Sequence, residues 1–318
     1  MSAPALSRFA FNAIPWFNRK ADPADPDSED LWLIADPAFA PEYPRVLAEL
    51  RSSGFDAAPL GVLPTQTIEE YLELTGALGL RPAPGYVALA LPEDHGASFA
   101  RGSREWSLWF DGVRRQAEHA VRAGLDSAFL APELDWGPRS VRANEETARG
   151  AAFDAGRLER VTELLADAAE ILRAAGVRAG LHNHVGTWVE TEEEINAVLG
   201  AVDASLLGAS LDVGHIAWTG ADPAAVLERH RDRIIDLHLK DLDLDVARRS
   251  RERPTPYQWA PSRGLFREPG DGDLDLDAVL AALPDDFDGW VIVEVDRTEL
   301  EPVESARRSR RWAERVAG

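Results

Sequence analysis

The sequence predicts a single α/β domain over residues 1–318, a (β/α)8 barrel of the TIM type with long loops on its top face. Three observations predict it. Strand-like and helix-like segments alternate along the whole chain, and the 318 residues suit one barrel of about 250 residues plus insertions. The chemically versatile residues fall at the C-terminal ends of late strands, where such barrels place their functional groups. A doubly wound sheet would instead carry a Gly-rich phosphate loop after its first strand, and Phe11-Asn12-Ala13-Ile14-Pro15 is not one.

Each element follows from local pattern. A first strand is expected at 9–14 and a helix at 43–52, then a strand at 57–60 and a helix at 67–78. A third strand is expected at 86–91 with a helix at 106–123, and a fourth strand at 127–130. The helix expected at 154–175 is the most regular: Leu158, Val161, Leu164, Leu165, Ala168, Ile171 and Leu172 recur at helical spacing, and Gly176 stands where a helix stops. A fifth strand follows at 179–184. Thr191 and Glu194 form a Thr-x-x-Glu capping box that opens the next helix, so His182 and His184 stand just before a strand-to-helix turn. Strands at 207–211, 234–239 and 290–295, with helices at 223–229, 276–283 and 302–316, complete eight units. Two segments, 17–30 and 241–275, are expected as long loops, and loops of that length are lids or mobile segments.

Composition narrows the function classes. Hydrophobic residues make up 45% of the chain, enough for a full core, and no stretch approaches the roughly 18 uninterrupted apolar residues of a membrane span. The N-terminal residues lack the pattern of a secretory signal and there are no cysteines, so the cytoplasm is the expected compartment. A net charge of -21 argues against nucleic acid or an anionic membrane as partner, because both need a basic face. The run Arg248, Arg249, Arg251 and Arg253 therefore reads as a solvated face or a contact with another subunit. A homo-oligomer and a small partner subunit both stay open.

Four strand ends carry the chemistry: Gly180-Leu181-His182-Asn183-His184, Ser210-Leu211-Asp212-Val213-Gly214-His215, Asp236-Leu237-His238-Leu239-Lys240 and Val291-Ile292-Val293-Glu294. On a strand, side chains two apart share a face, which aligns His182 with His184 and His238 with Lys240. Together they supply nitrogen and oxygen donors suited to a divalent cation. Asp212 has a structural alternative as a helix cap, and His238 as a buried histidine, but each gains weight as a ligand from the other. Glu294 ends a buried apolar run, where an unpaired carboxylate is costly unless a cation neutralises it.

The motifs Leu181-His182-Asn183-His184-Val185-Gly186-Thr187, Leu211-Asp212-Val213-Gly214-His215, His238-Leu239-Lys240-Asp241 and Glu268-Pro269-Gly270-Asp271-Gly272 resemble the xylose-isomerase-like barrel superfamily of sugar isomerases, epimerases and dehydratases. Within it, the chain is most similar to the inosose dehydratase family, as Phe11-Asn12-Ala13-Ile14-Pro15-Trp16 and Gly54-Phe55-Asp56 also suggest. The resemblance implies one divalent metal held by Glu, Asp, His and Glu from successive strand ends. Asp212, His238 and Glu294 match the last three. His182 stands where many relatives carry the first Glu, leaving two solutions: His182 ligates, or Glu133 supplies the carboxylate.

The activity expected is that of a metal-dependent lyase or isomerase acting on a keto-sugar or cyclitol through an enolate, with Mn²⁺ favoured over Co²⁺, Mg²⁺ or Zn²⁺. Glu294 and His184 are the candidate base and acid, Lys240 an electrostatic support for the enolate, and His215 a group near the metal. For His184 a role in orienting a ligand is an equal alternative. The alternatives are the catalytic subunit of a C-glycoside deglycosidase acting on 3-keto C-glycosides, and a keto-sugar epimerase. Trp16, Trp136, Trp188, Trp218 and Trp259 lie in top-face loops, where they either stack on substrate rings or pack the loops. His95 and His230 lie outside this constellation.

Overall fold

The computed structural model describes residues 4–134, apart from 21, 23, 26, 27 and 29, together with 140–317. Trp136 lies outside the described residues. The barrel expectation is met. Its eight strands are Phe9–Phe11, Ala57–Pro59, a third in two segments (Arg81–Ala83 and Tyr86–Leu89), Ser127–Pro132, Arg178–Leu181, Leu207–Ala209, Leu237–Leu239 and Val291–Val293. Parallel ladders run from the third strand to the sixth, with Tyr86 opposite Phe129 and Ala179 opposite Leu207. The second strand pairs with the first segment of the third. Val291 sits between Phe9 and Leu237, so the eighth strand joins the first strand to the seventh. Isolated bridges at Ala209–Ile234 and Asp212–His238 link the sixth unit to the seventh, and the second of these sets two candidate ligands side by side.

Helix positions follow their caps. Helices at Tyr43–Ser52, Pro223–Arg229 and Pro302–Val316 have the expected bounds. Ala155–Ala174 starts on the Asp154 side chain, which accepts from the Arg157 N–H, and it buries Leu158, Val161, Leu164, Leu165, Ala168 and Leu172 against the barrel. Burial of each large apolar side chain there contributes about 1.5–3 kcal/mol. The helix expected at 106–123 is instead two, Arg104–Trp109 and Asp111–Arg122. Phe110 turns inward against Trp106, and its N–H bonds to Ser107 three residues back, which breaks the helical ladder.

The top-face loops contain unexpected structure. Asn18–Lys20 and Asp30–Trp32 form an antiparallel pair in the first long loop. The second holds a helix, Leu244–Arg251, and a short pairing of Asp241–Leu242 with Phe266–Arg267. Buried Asp241 accepts N–H bonds from Leu242, Gly270, Gly272 and Leu274, and so holds the Glu268-Pro269-Gly270-Asp271-Gly272 turn. A Cβ at Gly272 would lie 2.3 Å from Asp241 Oδ1, so only glycine fits. Among the described residues, no helix is long and apolar enough to cross a membrane.

Candidate active site

The fifth strand ends at Leu181, earlier than the expected 184, so His182 and His184 stand in the turn beyond it rather than on one strand face. The ladder continues one more bond, His182 N–H to Leu130 O, which points the His182 ring inward. Asn183 then clamps the next unit: its amide donates to the Asp212 carbonyl and its Oδ1 accepts the Asp212 N–H, at 3.2 and 2.9 Å. Asp212 is both a cap and a site residue. Its Oδ1 accepts the His215 N–H and opens a helix at Val213–Thr219, while Oδ2 lies 2.8 Å from Lys240 Nζ. No helix is among the elements expected at 213–219, although the cap reading of Asp212 anticipates one, and the structure makes Asp212 its N-cap. Gly214 makes room for the lysine, since a Cβ there would come within 2.5 Å of Lys240 Cβ.

His182, Asp212 and His238 bring one donor atom each to within 4.8 Å of one another, all fully buried. The His182 and His238 rings meet at 4.3 Å between centroids. His182 Nδ1 and His238 Nε2 have no hydrogen-bond partner among the described residues, although a buried polar atom without one is costly. Glu294 lies at the edge of this group. Its oxygens receive the Asn12 amide at 2.6 Å and Lys240 Nζ at 3.0 Å, and His238 Nδ1 lies 3.3 Å away.

A second group contains His184, His215 and Asp296, again with donor atoms within 4.8 Å of one another. The His184 and His215 rings meet at 3.7 Å between centroids, their planes tilted by 42°. Asp296 was missed in the sequence, although Glu294 and Asp296 alternate along the chain as two residues sharing a face would. Lys240 Nζ ties both groups together: it lies 2.8 Å from Asp212, 3.0 Å from Glu294, 3.0 Å from Asp296 and 3.0 Å from His215 Nε2. One ammonium thus faces three buried carboxylates. The excess negative charge and the free imidazole nitrogens fit a divalent cation at the His182, Asp212 and His238 group, which constitutes a divalent-metal-binding site.

The electrostatics follow from burial and this shared ammonium. Burial alone would depress Lys240, but Asp212, Asp296 and Glu294 outweigh it and hold it well above the ordinary lysine value. Burial raises Asp296 to about 7 against the pull of Lys240 and raises Asp212 as well. Glu294 is driven low despite its burial, by Lys240 and then His238. Burial pushes His184 down to about 3, and His182 and His215 well below the ordinary histidine value, so these imidazoles are neutral.

Glu133 stands apart from both groups. Its side chain is 46% exposed and hydrogen-bonded to His95 Nε2 at 3.0 Å, on the rim of the cavity above the site. The tryptophans mostly pack loops. Trp16 donates to Glu49 and Trp218 to Ser250, Trp188 lies under Arg142 and Arg157, and Trp259 lies under Arg253 and Arg263. Trp32 instead lines the cavity.

Comparison with known proteins agrees with this geometry. The family described as xylose isomerase-like TIM barrel matches residues 47–316. An inosose dehydratase of Geobacillus kaustophilus is 30% identical over 294 residues, covering 90% of this chain and 92% of that protein. The rhizopine catabolism protein MocC of Rhizobium meliloti is 38% identical over 134 residues, which span 42% of this chain and 41% of that protein. Among solved structures, a D-allulose 3-epimerase from Methylomonas sp. superposes with a TM-score of 0.64 at 15% identity, covering 99% of both chains. The IolI protein, solved with a bound zinc atom, gives 0.60 at 17% identity over 98% of both. At such identities the structural likeness speaks for the fold alone.

Proposed function

The chain belongs to the xylose isomerase-like TIM barrel family, and on that footing we propose that it is a metal-dependent lyase that dehydrates a keto-cyclitol or keto-sugar, as an inosose dehydratase does. The observation that carries this reading is the convergence of His182, Asp212 and His238 beside Lys240 at the base of a cavity of about 580 Å³. His182, Asp212 and His238 would hold the ion, with Glu294 at their edge and Mn²⁺ the favoured species for mixed carboxylate and imidazole donors. A bound divalent ion supplies Lewis acidity beside the substrate's carbonyl and hydroxyl oxygens.

The remaining roles belong to side chains. His184, which lines the cavity, has its Nδ1 2.8 Å from the Val185 carbonyl and donates to it, so the ring's proton is on Nδ1 and the unprotonated Nε2 is left to accept one. It removes the proton beside the substrate carbonyl. Lys240 places positive charge where the enolate oxygen develops. Asp296 lines the cavity with its Oδ1 unpartnered among the described residues, and it donates a proton to the departing β-hydroxyl, which leaves as water. Glu294 is a poorer base than the sequence suggested, because Asn12 and Lys240 already engage its oxygens. His215 holds Lys240 in place.

The test is turnover of a keto-inositol in deuterated water by metal-stripped and metal-reconstituted protein, followed by mass spectrometry. Loss of water and deuterium uptake that depend on the metal support the reading. A metal-free preparation with full activity, or no exchange into the substrate under any metal, would sink it.

A further inference from the structure

We infer that Glu133, Gln258 and Tyr86 form a wall that reads the hydroxyls on the edge of the substrate ring remote from the reacting carbonyl, and so decide which keto-polyols are accepted. This deepens the keto-polyol reading of the site and rests on it. The reacting end of the substrate belongs at the floor, with His182, His184, Lys240 and Asp296. Above the floor the lining is uneven. The loops after the first two strands bring Ile14, Phe17, Leu60 and Val62 to the cavity. Polar lining comes from other units: Tyr86 from the third strand, Gln116 from the helix after it, Glu133 from the end of the fourth strand and Gln258 from the loop after the seventh.

Three of these residues keep hydrogen-bonding capacity that the protein does not use. Gln258 Oε1 is buried with no partner among the described residues, a costly state unless a donor from outside the chain meets it. Glu133 bonds to His95 through Oε2, which leaves Oε1 for an incoming hydroxyl. Tyr86 packs its ring against Phe129 and His182, and its hydroxyl bonds to none of the described residues. Asn12 and Asn18, by contrast, are committed to Glu294 and to the Asp296 carbonyl, and Arg297 is likewise engaged. Glu133 and Gln258 also share one side of the rim. A Cβ at Gly186 would lie 3.0 Å from Leu134 and 3.7 Å from Tyr257, so the chain neighbours of Glu133 and Gln258 meet over the turn that carries His184. The two open atoms at the rim, a carboxylate oxygen and an amide oxygen, accept hydrogen bonds and donate none. What they recognise is therefore a free hydroxyl, not an ether oxygen or a deoxy carbon.

The test is steady-state kinetics of the metal-reconstituted protein on a keto-inositol and on the same compound without the hydroxyl opposite the carbonyl, a group that takes no part in the elimination. The unaltered protein should lose roughly 10–100-fold in kcat/KM on the deoxy compound, the range for one hydrogen bond to a charged or buried acceptor. Glu133→Ala, at a half-exposed rim position that the fold tolerates, and Gln258→Met should each raise KM for the keto-inositol by more than they lower kcat, with bound metal retained. In the double variant the two compounds should be turned over within about threefold of each other, because the bonds that told them apart are gone. Equal turnover of the two compounds by the unaltered protein overturns the wall and leaves the keto-polyol reading standing. A preference that survives the double variant also overturns the wall. Turnover of neither compound by the unaltered protein overturns the keto-polyol reading and the wall with it.

Discussion

Two buried charge clusters in this barrel differ in one respect, their completeness. Arg142 and Glu194 form a closed pair, almost wholly buried, with two parallel bonds at 2.9 and 2.6 Å. Arg142 Nε and Nη1 also donate to the Ala151 and Thr187 carbonyls, and Glu194 also accepts from the Glu190 and Thr191 N–H groups. The Lys240 cluster is open. One ammonium there faces Asp212, Glu294 and Asp296, and the imidazoles around it retain buried nitrogens with no partner among the described residues. A charge cluster whose charges are paired stabilises a scaffold, here the turn after the fifth strand that carries His184, through the Arg142 bond to the Thr187 carbonyl. One with excess charge and spare donors is built to receive something else.

The largest expected difference between the clusters is in metal content. Asp212→Ala and His238→Ala should each abolish both bound metal and turnover, with metal measured by elemental analysis, while Arg142→Met should retain metal in whatever fraction remains folded. His182→Ala should lose metal and Glu133→Gln keep it, because only His182 belongs to the converging group. Full occupancy in the His182 variant would show that the open cluster does not use it.

Next in size is the proton carrier. His184→Asn should lower turnover by about 10²–10⁴ at near-normal metal content. If excess metal restores turnover instead, His184 orients a ligand, and the loss of affinity should be about 10–100-fold.

Breaking the closed cluster should cost stability instead of chemistry. Arg142→Met leaves Glu194 buried without its partner and should destabilise the protein by about 3–5 kcal/mol in denaturant unfolding. A variant as stable as the parent would mean that the two clusters are not different in kind.

The smallest effect concerns Glu190, beside the closed cluster, where it accepts from the Gly186 and Gly150 N–H groups. Burial pushes this carboxyl up to about 7, against the pull of Arg142. Because its value is higher when folded than the ordinary 4.5 when unfolded, its contribution to stability is complete below about 4.5 and is lost as pH rises through about 7. Glu190→Gln should flatten the fall in stability across that window, by a few kcal/mol at most, since each tenfold change in proton affinity is worth about 1.4 kcal/mol. An unchanged slope would assign the pH dependence to other groups.

Local pattern alone determined a good deal. The capping box at Thr191, the apolar spacing of Leu158 to Leu172 and the alternation of units define the helices and the barrel, because caps and helical periodicity are short-range properties. Residue types at the late strand ends likewise pointed to His182, Asp212, His238, Lys240 and Glu294. Tertiary structure decided the rest. That Asn183 clamps Asp212, that Asp296 joins the site, that Lys240 is shared among three carboxylates and that Glu133 stays at the rim all depend on contacts between units far apart in the chain. Donor atoms converge only when the ring of strands closes, and no local signal encodes the distances across it.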